Sequence, residues 1–165
     1  MATATDSHDH PKLQPNSRHC FACGLHNPVG LRLRFTDNGR DEVRTAYLAP
    51  AHFEGYPGVV HGGIVTALLD EIVGRTPMIA DPNHFMMTVK LEVKFRQPVP
   101  VETPLTITGR MLKHRGRLAT ARAELRLPDG TLAAEAEAVL ADLPADVLEG
   151  QEVELLDWRI WPDHA

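Results

Sequence analysis

The chain contains no run of 18 or more apolar residues, so the sequence offers no membrane-spanning helix. Its opening stretch, Met1 to His10, lacks a basic segment followed by an apolar one and is not expected to act as a secretory signal. Cysteine is scarce. Cys20 and Cys23 are the only two, too few for a disulfide framework. A cytoplasmic, reducing compartment is therefore the expectation. Positive charge is not in excess either: 17 Lys and Arg stand against 22 Asp and Glu, a formal charge of −5. That balance carries no footprint for nucleic acid or for an anionic membrane. A local basic patch could still hold a small polyanion, so a nucleotide-type ligand stays open.

What is present suits one ordinary domain. The 165 residues are 43% hydrophobic and 24% charged, enough for a single core and a normal surface. Residues 1–18 are polar, with Pro11 and Pro15, and read as a mobile arm. The domain is expected over 19–143 and a C-terminal extension over 144–165. Leu31, Leu33 and Phe35 alternate with Arg32, Arg34 and Thr36, the pattern of a half-buried strand. Asn38-Gly39 supplies a turn into a second strand over Glu42 to Leu48. Residues 49–60 read as a loop punctuated by Pro50, Gly55, Pro57 and Gly58.

From Gly62 to about Gly74 the period changes. Val65, Leu68, Leu69 and Ile72 recur at helical spacing and predict a buried stripe. The rest is strand-rich. Val89, Leu91, Val93 and Phe95 alternate cleanly, and Leu105, Ile107 and Met111 mark the next strand. Ala119, Ala121 and Ala123 lead, through the Pro128-Asp129-Gly130 turn, to Ala134, Ala136 and Ala138. Pairing across that turn sets Arg122 opposite Glu137. Alanine on the inner faces leaves room for a helix lying close. The economical architecture is α+β, an antiparallel sheet wrapped around one long central helix. Asp157-Trp158-Arg159-Ile160-Trp161 is expected to pack as an appendage.

The helix carries the chemistry. Its free N-terminal N–H groups, opened by Gly62 and Gly63, suit an anion or a developing oxyanion, the requirement of acyl transfer. Gly63, Thr66, Ala67, Asp70 and Gly74 share a small, polar side distinct from the apolar stripe. Periodicity leaves two readings of Asp70: solvated surface, or a carboxylate lying along a groove that substrate can reach. His61 likewise reads as a loop histidine or as part of a site.

The segment His61-Gly62-Gly63-Ile-Val-Thr-Ala-Leu-Leu-Asp70-Glu71 resembles the signature of PaaI-type hotdog thioesterases. Cys20-Phe-Ala-Cys-Gly24 with Asn27-Pro28-Val-Gly30-Leu31 resembles the start of the thioesterase superfamily member 4-like subgroup, and Phe95-Arg96-Gln-Pro98 and Asp129-Gly130 fall where that family has its own motifs. The resemblance spans roughly residues 18–142. It implies a hotdog fold, a homodimer or dimer of dimers, and hydrolysis of an acyl-CoA thioester with no cofactor beyond the CoA of the substrate. Asp70 would act as general base or nucleophile. Gly62, with Gly63, would polarise the carbonyl, and His61 would orient it. Because nine residues of helix span about 13 Å, Asp70 of one subunit would face His61, Gly62 and Gly63 of the other.

Thr66 and Tyr56 are expected beside the substrate. Arg96 and the turn Arg115-Gly116-Arg117 are candidates for the CoA phosphates, against the plainer reading of solubilising loop charges. Phe53, Tyr56, Leu69, Val73, Met78, Met86 and Met87 are expected to shape the acyl tunnel. Some relatives hold the water with Asn or Gln where this chain has Gly55; Glu54, Tyr56, His52 and Thr66 are the possible stand-ins. Cys20 and Cys23 have metal-ligand spacing with His8, His10, His19 and His26 nearby, but no second Cys-x-x-Cys completes a zinc set. Two apolar thiols in a buried loop, with no metal, is the expectation. The alternatives to hydrolysis are a hotdog hydratase or dehydratase and a non-catalytic acyl-CoA-binding module.

Overall fold

The computed structural model describes residues 11–144, 147 and 157–162. The helix α1 spans Gly62–Gly74, as the apolar spacing predicts. Val65, Leu68, Leu69, Ile72 and Val73 are its buried residues. Each large apolar side chain contributes about 1.5–3 kcal/mol on burial. This stripe holds the helix, because so short a segment is marginal alone in water.

Around α1 lies a seven-stranded antiparallel sheet. Its strands are β1 (Lys12–Leu13), β2 (Thr36–Asp37), β3 (Glu42–Leu48), β6 (Met86–Phe95), β7 (Pro104–Arg115), β8 (Leu118–Arg126) and β9 (Leu132–Asp142), in the order β1-β2-β3-β7-β8-β9-β6. β4 (Glu54–Tyr56) and β5 (Val59–Val60) form a separate hairpin inside the segment expected as a loop. The described residues bear out the α+β hotdog architecture, and they contain no helix long and apolar enough to cross a membrane.

The alanines do what their size predicts. Ala119, Ala121, Ala123, Ala134, Ala136 and Ala138 are all buried, facing the helix across a thin gap. The approach is tight at Gly109 in β7, where an added Cβ would stand 2.8 Å from the Ile72 carbonyl oxygen. The β8–β9 register sets Arg122 opposite Glu137, as expected. The ion pairs of Arg122, however, go to Glu135 (2.6 Å) and Glu124 (3.2 Å), acids on the same outer face.

Three expectations are corrected. Leu31, Leu33 and Phe35 are buried in alternation, yet residues 31–35 are not a regular strand. Leu31 and Leu33 donate instead to the carbonyls of Phe21 and Ala22, and Arg32 adopts φ 54°. The alternation records burial, while the hydrogen bonds run to an N-terminal loop. Second, residues 12–17 do not belong to a mobile arm: β1 pairs with β2, and Gln14, Asn16 and Ser17 are buried. Residues 1–10 lie outside the described residues. Third, β6 does not present its whole apolar set inward. A bulge between Thr88 and Lys90 shifts its register; Leu91 and Val93 are half-buried, while Val89 is 60% and Phe95 57% exposed. β6 is also an edge of the sheet.

At the other end of the chain, Trp158 Nε1 donates to Pro82 O (3.1 Å) and Trp161 Nε1 to Asn16 O (3.1 Å), so the expected appendage packs on the domain.

Replacing Gly109 with Ala drives a methyl into helix backbone. Overpacking of this kind costs about 1–3 kcal/mol, so Gly109→Ala should lower the urea midpoint with its slope unchanged. An unaltered midpoint would show that the helix is not seated this tightly.

Candidate active site

The β4–β5 hairpin builds the approach to the helix. His61 N–H donates to Phe53 O and Val60 N–H to Val99 O, both at 2.8 Å. His61 is the N-cap of α1, and its Nδ1 accepts the Gly63 N–H at 2.9 Å. This occupies the Gly63 amide, which corrects the expectation of a second carbonyl donor. Gly62 is the first helical residue and its N–H has no intrahelical partner. It opens onto a pocket of about 380 Å³ shared with Tyr56, Val65, Phe95 and Arg96.

Gly55 lies under His61. A Cβ there would stand 3.1 Å from His61 Cδ2 and 3.2 Å from its Cα, so the hairpin leaves little room for a longer side chain. Among the stand-ins for a water-holding amide, Glu54 accepts the Gly58 N–H (3.0 Å), and Thr66 Oγ1 donates to Gly62 O (2.8 Å). His52 packs edge-on against Phe53. Tyr56 is exposed and shares the Gly62 pocket.

Asp70 faces a different pocket, of about 500 Å³, toward the C-terminal half of α1. Its Oδ1 is buried and has no hydrogen-bond partner among the described residues. Met78, Met86 and Met87 line this pocket. Leu69 and Val73 belong to the core instead, and Phe53 packs against that core, partly buried. Within one chain Gly62 and Asp70 do not meet. Eight residues of helix separate them by about 12 Å.

The basic candidates are also divided. Arg96 lies by Gly62 and is ion-paired with Glu135 through Nε (3.0 Å) and Nη2. Arg115, Gly116 and Arg117 form the exposed β7–β8 turn, with Gly116 at φ 59°, a conformation glycine adopts without strain. Arg117 O accepts the Asp142 N–H (2.9 Å), and the neighbouring Leu143 lines the Asp70 pocket.

Sequence reasoning missed the polar wall of that pocket. Glu71 is ion-paired with Arg75, whose Nε and Nη2 both bond Glu71 Oε1 at 3.0 Å. Their spacing of four on a helix was the available signal. Cys20 and Cys23 share the same pocket; Cys23 is buried, Cys20 half-buried, and both are free. The hydrogen bond with Cys23 lowers the Cys20 thiol to about 6, and the same contact together with burial raises Cys23. Burial pushes the Glu71 carboxyl up to about 7 against the pull of Arg75.

The thioesterase superfamily model matches residues 57–134, from the β4–β5 turn to the start of β9. The acyl-coenzyme A thioesterase THEM4 of Rattus norvegicus is 28% identical over 113 residues, 68% of this chain and 48% of that protein. The THEM4 of Bos taurus is 29% identical over 113 residues, 65% of this chain and 45% of that protein. The chain thus spans about half the length of these relatives. Among solved structures, the thioesterase superfamily protein RHA08564 superposes with a TM-score of 0.68 at 29% identity, covering 76% of this chain and 61% of that one. The PaaI protein of E. coli superposes at 0.62 with 14% identity, over 69% of this chain and 81% of that one, a likeness of fold alone.

Two substitutions separate the capping role of His61 from any chemical one. His61→Ala leaves the Gly63 N–H without its cap and should cost about 0.5–2 kcal/mol. His61→Asn restores a capping oxygen and should recover most of that loss in thermal unfolding. Equal destabilisation by both would remove the cap from the account.

Proposed function

We propose that the chain is a PaaI-type hotdog thioesterase, which hydrolyses acyl-CoA thioesters to the free acid and CoA. The observation that carries this reading is the buried, unpartnered Oδ1 of Asp70 on the wall of a methionine-lined pocket. A buried carboxylate oxygen without a partner is costly. A water or a thioester bound there would satisfy it.

The second half of the site comes from a second copy of the chain. β6 is an edge strand that exposes Val89 and Phe95, a surface that invites pairing. Its Met86 end borders the Asp70 pocket, and its Phe95 end borders the Gly62 pocket. Antiparallel pairing of two β6 strands therefore sets the Gly62 end of one chain against the Asp70 end of the other. The thioester carbonyl lies against the Gly62 N–H, supported by the helix dipole. Asp70 of the partner removes a proton from the attacking water, or attacks the carbonyl itself to form a mixed anhydride that water then cleaves to the acid; in either route the C–S bond breaks and CoA leaves as thiolate. His61 holds the helix entry in shape, and Tyr56 and Thr66 border the carbonyl. Arg96 and the Arg115–Arg117 turn carry the basic rim for the CoA phosphates. The reaction needs no metal or organic cofactor, and a reducing, cytoplasmic setting keeps Cys20 and Cys23 free.

Asp70→Asn should lower kcat for acyl-CoA hydrolysis by about 10²–10⁴-fold with little change in Tm, followed by thiol release across short, medium, long and aromatic acyl groups. Wild-type-like turnover in this variant would sink the assignment. Acyl-CoA binding without turnover by the wild type would instead favour a binding module.

Val89→Lys places a charge on the proposed pairing edge. In sedimentation the wild type should run as a dimer or dimer of dimers, and the variant should shift toward monomer and lose hydrolysis together. A fully active monomer would refute the two-chain site.

A further inference from the structure

Cys20, Cys23 and Glu71 take no part in the hydrolysis, yet all three reach the Asp70 pocket. One Sγ from each cysteine and one carboxylate oxygen of Glu71 lie within 4.8 Å of one another. We propose that these three side chains form a binding site for a divalent cation of the zinc class, with the fourth coordination position open to the Asp70 pocket.

The local backbone is built for this. Gly24 N–H donates to Cys20 O at 2.8 Å, and Cys23 N–H donates to Cys20 Sγ at 3.5 Å, so a tight turn points both thiols to one side. A Cβ on Gly24 would stand 2.4 Å from Cys20 O and 2.5 Å from Cys20 N, a space only glycine fits. The third ligand arrives from the helix. Both Arg75 bonds to Glu71 end on Oε1, which leaves Oε2 without a bond from the guanidinium. Ser17 Oγ, 3.6 Å from Cys23 Sγ, borders the open side.

Distances and charge agree with the assignment. Bonds of 2.0–2.3 Å around tetrahedral zinc hold the ligand atoms about 3.5–4 Å apart. The side chains need to close by about 1.3 Å at most. Two thiolates and a carboxylate carry three negative charges, which Arg75 and one divalent ion balance. Each thiol gives its proton to solvent as it binds. Thiolate ligands select zinc-like ions over magnesium or calcium. The sequence alone lacked a third ligand near Cys-x-x-Cys; the fold supplies it from the residue after Asp70.

The test uses the full chain, kept reduced, titrated with Co²⁺ as a spectroscopic stand-in and then competed with Zn²⁺. One Co²⁺ per chain should bind, with a thiolate-to-cobalt charge-transfer band and tetrahedral d–d absorption, and Zn²⁺ should erase both. Cys20→Ser and Cys23→Ser should each lose the charge-transfer band of the pair. Glu71→Gln should weaken Zn²⁺ binding by about tenfold or more. No saturable uptake by the reduced wild type overturns the proposal whatever the variants do. So does Co²⁺ bound without a thiolate band, which would put the ion at His84, His114 and Asp142, a partly exposed cluster offering only nitrogen and oxygen. A band unchanged by both cysteine substitutions overturns it as well.

Discussion

A single buried guanidinium ties the domain together. Arg75 is 1% exposed at the C-terminal end of α1. An unpaired charge in that position would cost several kcal/mol, so the chain surrounds it. Glu71 takes two of its hydrogen bonds, and Pro15 O accepts from Nη1 at 2.6 Å. The guanidinium carbon stands 4.4 Å from the centre of the Phe35 ring and 5.0 Å from that of Trp158. Its placement at a helix C-terminus also suits the macrodipole. Four separate stretches of sequence thus converge on one cation. The N-terminal segment, the 31–35 segment and the C-terminal appendage all owe their places to it. The Cys20–Gly24 turn is carried along, because Asn16 Nδ2 donates to both Cys23 O and Leu33 O beside it.

A second constraint fixes the helix against the sheet. Alanines on β8 and β9 and Gly109 on β7 let α1 lie low, and its stripe is fully buried together with Leu105, Ile107, Leu125 and Leu140 of those strands. A helix so seated cannot roll. The angular offset between the stripe and Asp70 is therefore held, and Asp70 is kept at the rim of the core and not out in solvent.

These facts explain which features were legible in the sequence. The helix was, because Val65, Leu68, Leu69 and Ile72 repeat at one period. The helix-facing sheet was, because alanine alternation reports both a strand and a shallow gap. The β8–β9 register followed from the Pro128-Asp129-Gly130 turn, although Arg122 chose Glu135 over Glu137, since ion pairing follows side-chain reach and not register alone. Residues 31–35 misled because alternation encodes burial and is silent about hydrogen-bond partners. The order of Gln14 to Ser17 was hidden for a related reason: those polar residues are buried through bonds to distant atoms, such as Gln14 Nε2 to Asp37 Oδ2. His61-Gly62-Gly63 and Asp70 were visible as types at a spacing. That Gly63 would be spent on a cap was not, because capping depends on the χ angles of His61.

Asp70 and Glu71 show how adjacent carboxylates come to differ. On a helix, residues four apart are neighbours and residues five apart are not. Arg75 is four from Glu71 and five from Asp70, so the guanidinium closes on Glu71, whose Oε1 takes the Nε and Nη2 bonds. The clamp occupies one oxygen of Glu71, Oε1. Asp70, turned about 100° further round the helix, keeps Oδ1 free toward the pocket. The same arginine that cements the fold therefore also decides which acid is ion-paired and which keeps an unpartnered oxygen.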